Sequence, residues 1–148
     1  MAGGPHVLIV EARFYADIAD ELVRGASAAL AEAGATFDRV VVPGAFEIPT
    51  AIAMAIDSGR YDGYVALGCV IRGETSHYDY ICGESARGLA ELARVHRAPI
   101  GYGILTCETR DQARARAAVD GNGKNKGRDT AEACLALIAL GHDLAGGG

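Results

Sequence analysis

Apolar, β-branched runs alternate along the chain with longer stretches in which apolar residues recur at helical spacing, the pattern of repeated strand-helix-strand units. Residues 6–10, His6-Val7-Leu8-Ile9-Val10, read as a first strand. Ile18, Leu22, Val23, Ala26, Ala29, Leu30 and Ala33 then share one face of a helix, and Gly34 supplies its stop. Val40, Val41 and Val42 form a second run. Pro49 suits the first turn of a helix carrying Ile52, Ala55 and Ile56, which Ser58-Gly59 closes. A third run over 64–67 continues to Ile71, and the spacing predicts a helix over 80–95. A fourth strand over 99–105 is thinned by its two glycines, and helices over 110–119 and 128–140 complete the chain.

Strands of such continuous apolar character are expected to be buried on both faces, in a parallel sheet sandwiched between helices. The fold class is therefore α/β, a three-layer sandwich around a four-stranded parallel sheet. Right-handed crossovers bring the carboxyl ends of all strands to one edge, where ligands of open sheets bind. Function is sought in the segments that follow the strands, at 11–15, 43–49, 68–80 and 106–108.

Size changes this picture little: 148 residues, 50% of them hydrophobic, suffice for one core. A single domain over 1–148 is expected, with 1–5 and 145–148 as flexible tails. A net charge of -5 with scattered Lys and Arg argues against nucleic acid or an anionic membrane as partner and favours small molecules. No apolar run is long enough to span a bilayer, and Met1-Ala2-Gly3-Gly4-Pro5 lacks the layout of a secretory signal, so a cytoplasmic location is expected. Cys69, Cys82, Cys107 and Cys134 form no close pair and read as reduced packing residues rather than metal ligands. Cys69 lies in a site-lining segment, so thiol chemistry stays open there.

The segment 68–80 carries the most chemistry. Gly73 allows close backbone approach, Thr75 and Ser76 offer hydroxyls, and the N–H groups that open the next helix suit a phosphate. Beside them His77 is a candidate proton shuttle, because imidazole titrates near neutrality. The alternative is that His77 caps a helix or bonds a carbonyl. His6, His96 and His142 read as solvated surface residues.

Pro43-Gly44-Ala45-Phe46-Glu47-Ile48-Pro49 and Gly73-Glu74-Thr75-Ser76-His77-Tyr78-Asp79-Tyr80 resemble motifs of the lumazine synthase family, as does Ala12-Arg13-Phe14. Pro99-Ile100-Gly101-Tyr102-Gly103-Ile104-Leu105-Thr106 and residues 112–116 with Asn125-Lys126-Gly127 also match, in the family's order and roughly its spacing. The resemblance spans nearly the whole chain. It implies a flavodoxin-like, doubly wound domain that condenses 5-amino-6-(D-ribitylamino)uracil with 3,4-dihydroxy-2-butanone 4-phosphate to 6,7-dimethyl-8-ribityllumazine, releasing phosphate and water. No cofactor and no metal are implied.

By the same resemblance Phe14 stacks on the pyrimidine, although without the motif it reads more readily as cover for the sheet edge. Ala45 and Phe46 contact the uracil through the backbone, and the Glu47 carboxylate accepts hydrogen bonds from ribityl hydroxyls. Cys69, Val70 and Ile71 line the ring. Gly73, Glu74 and Thr75 serve the phosphate-bearing substrate, Glu74 through its backbone N–H because its carboxylate would repel an anion. Arg116 matches the phosphate arginine, whose forked donors meet two oxygens at once. Arg114, two residues away on the same helix, must point elsewhere. Lys126 matches a second cation, and Tyr102 a site aromatic; Tyr102, Arg116 and Lys126 are expected to reach in from a neighbouring subunit.

The resemblance thus implies a homo-oligomer. The family forms pentamers, which in some members stack in pairs or close into shells. Here residues 120–124 look about two residues longer than the shell-forming pattern, which favours a free pentamer, with stacked pentamers as the alternative. Tyr15 and Gly83 depart from the asparagines common at those places. Two rival functions fit the same architecture. A nucleotide-binding module is disfavoured because no G-x-G-x-x-G follows the first strand and no phosphate-binding G-x-x-x-x-G-K-[ST] occurs. A paralogue that binds flavin or ribityl compounds without turnover is disfavoured by His77 and Arg116.

Overall fold

The computed structural model describes residues 4–118 and 125–146. In chain order these form β1 (His6–Ala12), α1 (Ala16–Glu32), β2 (Thr36–Val42), α2 (Ile48–Ser58), β3 (Gly63–Ile71), α3 (His77–His96), β4 (Ile100–Cys107), α4 (Arg110–Ala117) and α5 (Lys126–Leu144). A short 3-10 turn, Ala45–Glu47, leads into α2. The expectation for 120–124 lies outside the described residues, as do those for 1–3 and 147–148.

All strand pairings are parallel, in the order β2-β1-β3-β4. Strand alternation splits the core in two. Val7, Ile9, Val65, Leu67 and Leu105 pack with Ile18, Leu22 and Leu30 of α1, Ala113 of α4 and Cys134 and Ile138 of α5. On the other face Leu8, Val10, Ala66, Ile100 and Ile104 pack with Ile48 and Ile52 of α2 and Leu89 of α3. The three layers expected from the sequence are present.

Helix ends follow local chemistry. Gly34 and Gly59 take left-handed φ values of 77° and 67° just after α1 and α2, as stop signals there require. Asn125 Oδ1 accepts from Arg128 N–H at 2.7 Å to start α5, and Thr109 Oγ1 accepts from Gln112 N–H at 3.2 Å to start α4. The glycines of β4 do more than thin it. A Cβ on Gly101 would collide with the Thr130 carbonyl, so their bare backbone lets α5 lie directly on the strand.

Three expectations are revised. The strand β2 is an edge strand and is not buried on both faces: Val40 and Val41 are 41% and 60% exposed. The helix α3 opens at His77 rather than near residue 80. His6 is not simply solvated, since its Nδ1 lies 2.7 Å from Thr36 Oγ1, its Nε2 3.3 Å from Asp38, and its ring stacks on Tyr61. At the amino end, Gly4 N–H donates to the Gly34 carbonyl and the Pro5 carbonyl accepts from Thr36 N–H, so the chain is tied to the sheet from residue 4.

Candidate active site

The chain leaves β1 for β2 on one side and returns to β3 on the other, which opens a crevice at the carboxyl ends of β1 and β3. A cleft of about 320 Å³ lies there, a volume suited to a small organic substrate. The end of β1 and its turn supply Ala12, Phe14 and Tyr15; the turn after β2 supplies Gly44, Ala45, Phe46 and Glu47. The end of β3 supplies Cys69, Val70 and Ile71, and the first turns of α3 supply His77 and Ile81.

Two aromatic rings are left in the open around this cleft, Phe14 at 78% and Phe46 at 53% exposure. Such rings offer apolar area to a planar ligand rather than to the core. The turn that carries Phe14 is fixed from beneath by a buried carboxylate. Glu11, 1% exposed, accepts from Arg13 Nη1 at 2.7 Å and from Arg39 Nε at 2.5 Å. Arg13 also reaches Asp20 on α1. Two guanidiniums satisfy a charge that would otherwise be costly to bury.

Glu47 sits at the end of the 3-10 turn with its Oε1 close over Gly44, where a Cβ would come within 3.2 Å. The carboxylate is exposed and free of ion pairs among the described residues, hence available to hydroxyl donors. Burial pushes the Cys69 thiol up to about 12, which keeps it protonated and leaves it a lining residue rather than a nucleophile.

His77 is exposed as the first residue of α3, and its backbone N–H donates to Thr75 Oγ1 at 3.3 Å. One of the N–H groups expected to face a ligand is thus engaged within the chain. Gly73, Glu74 and Thr75 form the exposed turn before His77, and a Cβ on Gly73 would meet nothing within 4 Å among the described residues, so none of them demands the glycine. Arg72 braces this turn. Its Nε lies 3.0 and 3.1 Å from the two Glu108 oxygens, and its Cζ stands 4.4 Å over the Tyr78 ring, joining the ends of β3 and β4 to the start of α3.

The remaining candidates lie outside this cleft. Tyr102 is on the face of β4 that meets α3, in a separate hollow with Ala86, Leu89 and Ala90. Lys126 opens α5 and is exposed, its carbonyl accepting from Thr130 Oγ1 at 2.6 Å. Arg116 on α4 contacts the Gln112 carbonyl at 3.3 Å and Cys107 Sγ at 3.9 Å, with no carboxylate partner among the described residues. Arg114 is engaged by Asp17 at 3.5 Å and Asp111 at 3.8 Å. Among the described residues, then, Arg114 is tied up in surface ion pairs while Arg116 meets no carboxylate.

Sequence reasoning passed over Ile81 and Gly44 as lining residues and Glu11 as a buried charge. Ile81 falls one helical turn after His77 and could have been found from that spacing. Glu11 could not, because its partner Arg39 stands 28 positions away.

The family model for 6,7-dimethyl-8-ribityllumazine synthase matches residues 4–142. A protein of that name from Agrobacterium fabrum is 55% identical over 147 residues, covering 96% of this chain and 98% of its own. One from Methylorubrum extorquens is 56% identical over 142 residues, covering 93% and 81%. One from Bartonella tribocorum is 56% identical over 137 residues, covering 92% and 89%.

Proposed function

From the premise that the chain belongs to the 6,7-dimethyl-8-ribityllumazine synthase family, we propose that the crevice between β1 and β3 is its active site. The reaction of the chain is the condensation of 5-amino-6-(D-ribitylamino)uracil with 3,4-dihydroxy-2-butanone 4-phosphate, a step of riboflavin biosynthesis. The observation that carries the siting is that a single cleft gathers Phe14, Phe46, Glu47 and His77: two exposed rings, one carboxylate free to accept from hydroxyls, and one imidazole.

The pyrimidine stacks on Phe14 above Cys69, Val70 and Ile71, with its edge against the backbone of Ala45 and Phe46, while ribityl hydroxyls donate to Glu47. The primary amine of the uracil attacks the butanone carbonyl, forming a C–N bond, and water leaves as the imine forms. His77 carries protons between these groups and supports the departure of phosphate, which is held at Gly73, Glu74 and Thr75 with Arg116 and Lys126. Loss of a proton from the carbinol carbon together with phosphate leaves an enol that becomes a ketone. Attack of the ribitylamino nitrogen on that carbonyl carbon, with departure of a second water, closes the second ring. Holding two reactive partners in register supplies much of the rate.

The protein works as a cytoplasmic homopentamer. Support comes from the separation of Tyr102, Arg116 and Lys126 from their own chain's cleft, which suits residues that serve a neighbour, and from exposed Val40 and Val41 on the edge strand. No helix among the described residues is long and apolar enough to cross a membrane.

The test is incubation of the protein with both substrates while inorganic phosphate and lumazine are measured together. Equal amounts of the two are expected. Tight ribityl binding without phosphate release would point instead to a non-catalytic paralogue.

A further inference from the structure

We propose that Tyr15 is a positioning residue that holds the Phe14 ring over the cleft, with the Arg110 guanidinium as its prop. The proposal rests on the reading of Phe14 as the stacking residue. Phe14 is 78% exposed and so has few neighbours to define its side-chain rotation. Its aromatic neighbour among the described residues is Tyr15, with ring centroids 4.9 Å apart and planes at 83°, an edge-to-face pair.

Tyr15 is itself anchored. It packs against the core face that contains Ile18 and Leu22, and Arg110 Cζ stands 5.1 Å from its ring centroid, within cation–π range. Arg110 is in turn held by Asp17, Nη2 to Oδ1 at 2.7 Å. On the other side of Phe14, Arg13 pins the backbone of the turn to Glu11 at 2.7 Å and to the Ala16 carbonyl at 3.5 Å. With the backbone fixed, rotation of the Phe14 side chain is the freedom left, and the Tyr15 ring limits it. A ring ordered before the ligand arrives loses less on binding, so Tyr15 should act on affinity for the planar substrate and not on the phosphate-bearing one.

The test compares steady-state constants of the assembled enzyme carrying Tyr15→Phe, Tyr15→Leu, Tyr15→Ala, Phe14→Ala, and Phe14→Ala with Tyr15→Ala. Tyr15→Phe keeps the ring and is expected to match wild type within about twofold. Tyr15→Ala and the bulk-preserving Tyr15→Leu are expected to raise KM for the uracil about fivefold, with KM for the butanone phosphate and kcat little changed. Phe14→Ala should raise the uracil KM further, and adding Tyr15→Ala to it should do nothing more. Unchanged uracil KM in Tyr15→Leu and Tyr15→Ala while Phe14→Ala is impaired would overturn the role of Tyr15 and leave the stacking reading intact. A further rise in the double variant would show direct contact or general loosening and overturn it as well. Unchanged KM in Phe14→Ala would remove the stacking reading, and the proposal with it.

Discussion

Arg39 Nε on the edge strand β2 donates to Glu11 Oε2 on β1 at 2.5 Å, across a carboxylate that is 1% exposed. This pair ties the outermost strand to the strand that delivers Phe14. Removal of Glu11 should cost more than removal of Arg39, since it takes the shared partner from both arginines and leaves a gap in a buried site, whereas without Arg39 the carboxylate keeps its bond to Arg13. Glu11→Ala is expected to lower unfolding free energy by about 3 kcal/mol and Arg39→Ala by about 1 kcal/mol, because Arg13 still pairs with Glu11. Urea unfolding at matched protein concentration measures both; equal losses would contradict this ordering.

Burial pushes the Cys69 and Cys134 thiols from 9.0 up to about 12. The folded value is raised above the unfolded one, so each thiol's contribution to stability is complete below pH 9 and is lost as pH rises from 9 towards 12. The alkaline limb of the stability profile should therefore be flatter in Cys134→Ala than in wild type, whatever its absolute height. At pH 8 Cys69 should resist alkylation, and Cys69→Ala should keep kcat within about twofold. Rapid labelling of Cys69 with loss of activity would restore a chemical role for the thiol.

His77→Ala should slow the chemical step by about tenfold to a thousandfold without abolishing it, since positioning of the substrates survives. Rapid-mix single turnover reads this step directly. An unchanged rate would take the imidazole out of the mechanism.

Arg116 and Arg114 make a matched pair. Arg114 is engaged by Asp17 and Asp111, so Arg114→Ala should leave the kinetics within about twofold of wild type. Arg116→Ala should weaken the butanone phosphate by about 2 kcal/mol, some thirtyfold in KM, with the uracil little affected. Equal behaviour of the two variants would misplace the phosphate.

Much of this was legible in the residues, for identifiable reasons. The strand β1 and the helix α1 have an uninterrupted apolar run and a clean helical face, and Gly34 and Gly59 mark stops that need left-handed backbone. The start of α3 was not legible, because His77, Tyr78 and Asp79 carry no apolar period and the turn before them is set by Thr75 and Ser76 through local bonds. The strand β2 begins at Thr36, earlier than its apolar run, since an edge strand tolerates Asp38 and Arg39 as a central strand would not. In the cleft, Phe14, Ala45, Phe46, Glu47, Cys69, Val70, Ile71 and His77 were named from motifs and meet in space. Tyr102, Arg116 and Lys126 do not join them within one chain. Periodicity speaks of the faces of one fold, and the expectation that a second copy completes the site rests on motif and charge alone.

Mixing two impaired variants, assayed at limiting butanone phosphate, tests the proposed shared site most directly. His77→Ala and Arg116→Ala proteins, differently tagged, are unfolded and reassembled together, and doubly tagged assemblies are purified and assayed for phosphate release. If each pocket takes His77 from one copy and Arg116 from the next, random mixing restores both groups in about a quarter of the pockets, and activity should rise to about that fraction of wild type. Mixed assemblies no more active than the two parents would contradict a pocket built from two copies.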